Sequence, residues 1–69
     1  MVEAFITDVQ KKTQSKMLIH VLSETFPSCS INIDFSDRDK VLRIEGENIE
    51  TSAIMILVNE HGFRCDILQ

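Results

Sequence analysis

The sequence predicts a ferredoxin-like α+β sandwich, a four-stranded antiparallel sheet with both helices on one face. Three observations carry this. Apolar residues alternate in four short segments and recur at helical spacing in two longer ones. Their order is strand, helix, strand, strand, helix, strand. The middle strands are joined by Ser36-Asp37-Arg38-Asp39, whose residue types favour a tight turn and so an antiparallel hairpin. Each half is then a βαβ-like unit, and right-handed crossovers put both helices on the same side. The expected strand order is four-one-three-two, with the second and fourth strands at opposite edges.

The first strand spans 2–7. Val2, Ala4 and Ile6 share one face, and Glu3, Phe5 and Thr7 the other. Glu3 marks the second face as the wetter one, so Phe5 is expected to be partly exposed. Asp8 can accept from the free N–H groups of a first helical turn, which makes it the expected N-cap. Helical spacing runs over 10–26. Leu18, Val21, Leu22 and Thr25 form the stripe, Met17, Ile19 and Phe26 widen it, and Pro27 ends the helix. Ile31, Ile33 and Phe35 alternate with polar residues in the second strand. In the third, 41–45, Leu42 and Ile44 are expected inward and Val41, Arg43 and Glu45 outward. The second helix starts between Asn48 and Ser52 and carries Ile49, Ala53, Ile54, Ile56, Leu57 and Val58 on one wide face. Gly62 supplies a left-handed stop, and Phe63 can fold back onto the helix end. Residues 64–68 form the last strand, with Cys65 and Ile67 inward.

Length and composition narrow the function. Sixty-nine residues make a single domain, 1–69. A chain this short buries only about 60% of its unfolded surface. No apolar run approaches the roughly 20 residues of a membrane span. Met-Val-Glu-Ala-Phe has no basic start leading into an apolar core, so no signal peptide is expected and the expected location is cytoplasmic. Net charge is −4, with 7 basic and 11 acidic residues, and there are four Phe but no Tyr or Trp. That balance excludes the basic stripe and stacking aromatics of a nucleic-acid binder. Neither cysteine, Cys29 or Cys65, belongs to a CxxC pair. The count alone permits a disulfide, but the strand order puts them on different edges, so free, packed thiols are expected. Both are expected toward the sheet end opposite the first strand–helix loop.

The chain resembles the heavy-metal-associated domains, the fold of small copper chaperones and of the N-terminal modules of metal-pumping ATPases. The likeness runs through almost the whole chain. It rests on length, element order, Ile31-Asn32-Ile33-Asp34-Phe35 followed by Lys40-Val41-Leu42-Arg43-Ile44-Glu45-Gly46, and the ending Ile56-Leu57-Val58-Asn59-Glu60-His61-Gly62-Phe63-Arg64-Cys65. Gly62-Phe63 stands where the family closes its second helix on Gly-Tyr or Gly-Phe. The family's Gly-Met-Thr-Cys-x-x-Cys is absent. In its place is Asp8-Val9-Gln10-Lys11-Lys12-Thr13-Gln14, with Lys11 and Gln14 at the two cysteine positions. Copper(I) and zinc want thiolate or imidazole ligands. An ammonium has no lone pair, and an amide offers only a hard oxygen. The resemblance therefore implies the fold and not the metal site, and no cofactor is expected.

Lys11, Lys12 and Lys16 lie within six positions of one another and oppose the helix dipole, which costs roughly 0.3–1 kcal/mol. They form either a solvated helix face or a docking face for an acidic partner protein. The expected function is a non-enzymatic protein-interaction or regulatory module, monomeric or weakly homodimeric, with neither nucleic acid nor membrane as partner. The alternative is a copper or zinc carrier using Cys65, His61 or Met17. As a structural residue, Met17 would instead sit in the core. His20 falls off the apolar stripe and belongs on the surface. A third reading is a small-molecule sensor dimerised along an edge such as 64–68. An enzyme ranks last: Asp37 and Asp39 sit in a turn, Glu45, Glu47 and Glu50 surround a helix start, and no nucleophile is paired with a base. Acylphosphatase shares the fold but needs a longer chain and an arginine in a phosphate loop.

Overall fold

The computed structural model describes residues 1–36 and 38–68. Its elements are β1 (Val2–Thr7), α1 (Lys12–Thr25), β2 (Ser30–Asp34), β3 (Val41–Glu45), α2 (Thr51–Glu60) and β4 (Cys65–Ile67). They form a small ferredoxin-like α+β sandwich with sheet order β2-β3-β1-β4. All three pairings are antiparallel. The β2–β3 hairpin forms as expected, although Asp37 of its turn lies outside the described residues.

Strand register decides which side chains meet the helices. Phe5 stands opposite Leu42, which stands opposite Ile33, and Ile44 is opposite Ile31. Phe5, Leu42 and Ile44 are fully buried with Leu18 and Leu22 of α1 and Ile54 and Val58 of α2. The expected facing of β1 is thus reversed. Phe5 points into the core, and Val2 on the opposite face is 59% exposed. Both faces of β1 carry apolar residues, so one acidic residue near the strand start was a poor guide. Glu3 stays half-buried on the helix side. The other sheet face meets solvent. Even so, Val41 on that face is buried between Ile6 and Asp34, its neighbours across the strands, where an outward and exposed residue was expected.

Four other expectations change. Ile56 is exposed, because the stripe of α2 is narrower than its apolar content and centres on Ile54 and Val58. Met17 faces solvent rather than the core. Ile67 lies on the helix side by register, but its edge position leaves it exposed. Cys65 sits opposite Thr7, at the sheet end that carries the first loop rather than the far end. Cys29 is at the far end, where a methyl group added to Gly46 would lie 2.8 Å from its sulfur. Both thiols are free, as expected.

Helix ends follow local rules with one exception. α2 ends in a Schellman arrangement: the Phe63 N–H donates to Val58 O at 3.3 Å and the Gly62 N–H to Asn59 O at 2.9 Å, with Gly62 at φ 90. At the start of α1 the N-cap is Lys11, without a side-chain cap of its own, rather than Asp8. Residues 8–11 instead form an extended link that buries Val9 completely.

Two predictions follow from this packing. Phe5→Ala is expected to cost about 3–5 kcal/mol in urea denaturation. Val2→Ala is expected to stay within roughly 0.5 kcal/mol. Comparable losses at both positions would refute the assigned facing. The second concerns Asp34, whose carboxylate accepts from the Ser36 hydroxyl at 2.6 Å and the Ser36 N–H at 2.9 Å, and lies 3.3 Å from the Arg43 guanidinium. Those bonds, Ser36 first, hold its pKa below the ordinary aspartate value. The folded carboxyl therefore ionises at lower pH than the unfolded one. Its stabilisation is complete above the unfolded value and is lost as pH falls through the folded one, below about pH 4. Carboxyl NMR should place the Asp34 midpoint below the ordinary value and should move it upward in Ser36→Ala.

Candidate functional site

The loop between β1 and α1 is built around Thr7, a buried polar residue. Its hydroxyl donates to Lys40 O at 2.8 Å and lies 3.4 Å from the Val9 N–H, while its own N–H donates to Asp39 O at 3.2 Å. Thr7 thereby ties the loop to the β2–β3 turn, where Lys40 adopts φ 46. Asp8 ties the loop to β4, accepting the Arg64 N–H at 2.8 Å. The carboxylate expected to cap α1 is used for this crossing instead.

Gln14 takes over part of the capping. Its side-chain oxygen accepts from the backbone N–H groups of Gln10 and Lys11 at 3.1 and 3.0 Å. This is one half of a capping box, and no lysine can return the other half because an ammonium has no acceptor. One turn on, the buried Ser15 hydroxyl donates to Lys12 O at 2.8 Å. Of the two positions that the sequence resemblance sets against metal-binding cysteines, Gln14 is therefore occupied in closing the loop, and Lys11 is exposed.

Lys11, Lys12 and Lys16 are all exposed, and among the described residues none of them forms an ion pair. The fold also gathers cations that the sequence keeps apart. Arg38 and Lys40 belong to the turn bound to Thr7, and Arg64 follows the helix end bound to Asp8. Six of the 7 basic residues thus lie at one pole of the molecule, all but Arg43, which sits opposite Ala4 within the sheet. Lys40 rests over the Phe35 ring at 5.7 Å, and Arg64 pairs with Asp66 at 3.3 Å. Reading along the chain found only the lysine triad. The other three cations come into view once the strand register is known.

The alternative metal ligands lie on three different elements. His61 is the exposed C-cap of α2, Cys65 is buried four residues on, and Met17 lies on α1. Among the described residues no three His, Cys, Asp or Glu side chains gather where they could hold a metal ion. Burial, with the adjacent Asp66 carboxylate, pushes the Cys65 thiol up to about 12, which opposes the thiolate a soft metal needs. His20 is exposed and stands 2.8 Å from Glu24.

A shallow hollow of about 270 Å³ opens on the bare sheet face, lined by Val2, Ser30, Ile31, Asn32, Arg43 and Glu45. Its guanidinium already bridges to Asp34, so it offers a small ligand little uncommitted charge. Among the described residues no helix is long and apolar enough to cross a membrane. No family model matches the chain, and no curated protein or solved structure does either.

Replacing Gln14 by Ala releases two backbone donors at an exposed site and is expected to lower stability by roughly 1 kcal/mol. Lys11→Asp supplies a side-chain cap and removes a charge that opposes the dipole, and is expected to add about 0.5–1 kcal/mol. Urea unfolding of both variants checks the pair. Equal stability in all three proteins would contradict this account of the helix start.

Proposed function

We propose that this chain is a non-enzymatic, cytoplasmic protein-interaction or regulatory module of the heavy-metal-associated kind. In this reading it docks an acidic partner protein through Lys11, Lys12 and Lys16. The observation that carries the reading is the state of the strand–helix loop. One ligand position, Lys11, is an ammonium, the other, Gln14, an amide committed to the backbone, and among the described residues none of the exposed Lys11, Lys12 and Lys16 pairs with a carboxylate. Arg38, Lys40 and Arg64 reach the same pole together with the carboxylates of Asp8, Asp39 and Asp66, so the local positive field rests on the lysine triad, while the chain as a whole carries −4. A local field of this kind steers an oppositely charged surface and speeds its association.

The alternative, a copper or zinc carrier using Cys65, His61 or Met17, separates cleanly from this reading. Titration of the reduced protein with copper(I) or zinc(II), followed through backbone amides, is expected to be flat. Stoichiometric tight binding that is lost on alanine substitution of those three residues would establish the carrier instead.

The docking face is tested with the partner itself. Proteins retained from native extract by the immobilised domain would be identified and purified, then titrated against wild type and a Lys11→Glu, Lys12→Glu, Lys16→Glu variant. Charge reversal is expected to weaken binding by at least about tenfold, and added salt to weaken the wild-type complex. A partner whose affinity ignores both changes would exclude the lysine face.

A further inference from the structure

The two edges of the sheet are unequal. β4 is three residues long, and Arg64 and Asp66 put charge at and beside it. Shortness and charge both protect an edge from pairing with another chain. β2 has five residues, Ser30–Asp34, with neither lysine nor proline among them. Its single charged side chain, Asp34, is engaged by Ser36 and Arg43. Ser30 and Asn32 are exposed and Ile31 is half-buried, so the backbone along this edge is open to an incoming strand.

We propose that β2 is a self-association edge, on which a second copy of this chain adds its own β2 antiparallel to make one eight-stranded sheet across a two-fold axis. Only one antiparallel register pairs all five residues, and it is centred on Asn32. It sets Ser30 against Asp34 of the second copy, Ile31 against Ile33, and Asn32 against Asn32. Every rung is complementary: hydroxyl with carboxylate, isoleucine with isoleucine, amide with amide. No like charges face each other.

The register also continues the core. On the helix side, the row Phe5–Leu42–Ile33 of one copy runs on into Ile31 and Ile44 of the other. Ile31, half-buried in the single chain, would lose its remaining exposure, which is the area term that favours association. Residues opposite one another in antiparallel strands point to the same side, so both helical layers stay on one face and both bare faces on the other. The C2 axis makes the contact isologous and closes it at two copies, because each chain has one such edge. This differs from pairing through 64–68, where the strand is short and flanked by charge.

Asn32 on the axis supplies the test. It is exposed, so substitution there should leave the single chain folded. Sedimentation velocity of the full chain would compare wild type, Asn32→Lys, Asn32→Asp and an equimolar mixture of the two variants, with amide spectra as the folding control. Wild type should pass from monomer to dimer as concentration rises. Asn32→Lys alone sets two ammonium groups against each other beside Arg43 of each copy, and its dimer should dissociate at least about tenfold more readily. Asn32→Asp, whose carboxylate has Arg43 opposite it in its own chain, should be weakened less. The mixture places Lys against Asp and should restore a dimer containing one copy of each. Added salt should strengthen the wild-type dimer by screening two net negative chains, opposite to its expected effect at the lysine pole. A wild type that sediments as a monomer at every concentration would overturn the proposal. So would an Asn32→Lys protein that dimerises like wild type, or a mixture that fails to reassociate.

Discussion

Two helices cover one face of the sheet, and the other face meets solvent. That one-sidedness governs most of what distinguishes the molecule. A two-residue period gives every strand two faces, but a two-layer domain of this size has helical cover for only one. Register then assigns each side chain. Phe5 goes under the helices because it is opposite Leu42, and Val2, Ala4 and Ile6 go to the bare side because they alternate with it. The same arrangement leaves β2 and β4 as edges, since nothing closes the sheet into a barrel.

Thr7 links this layer to the loop. One hydroxyl joins the end of β1 to the β2–β3 turn and to the start of the extended link, while Asp8 beside it joins the link to β4. The link is thereby fixed at three points before α1 begins. A chain held this way can place lysines at a helix start against the local dipole, because the helix is also held by Val9, Leu18 and Leu22 in the core. The unfavourable charge costs tenths of a kcal/mol per residue, whereas a fully buried leucine contributes roughly 1.5–3 kcal/mol. Packing wins, and the lysines stay exposed to solvent.

The cysteines illustrate how topology separates residues of the same type. Cys65 opens β4 beside the loop, and Cys29 precedes β2 at the far end, against Gly46. Opposite edges and opposite ends keep the two thiols apart. Burial makes Cys65 a reluctant thiolate, so its chemistry is that of a small apolar group.

Much of the fold was legible from residues alone. Alternation marked the strands, the spacing of Leu18, Val21 and Leu22 marked α1, and Gly62 marked the end of α2, because those signals are local and act within a few residues. The lysine triad and the missing cysteine pair were legible for the same reason. Other features belong to tertiary structure. The facing of β1 was not readable, since Phe5 and Ile6 are both apolar and only cross-strand partners choose between them. The true role of Asp8 depended on Arg64, and that of Gln14 on a loop whose path is set by burial of Val9. The convergence of Arg38, Lys40 and Arg64 on the loop, and the inequality of the two edges, follow from strand order and strand length. Sequence periodicity determines which elements form, but contacts between residues far apart in the chain decide what those elements present to solvent.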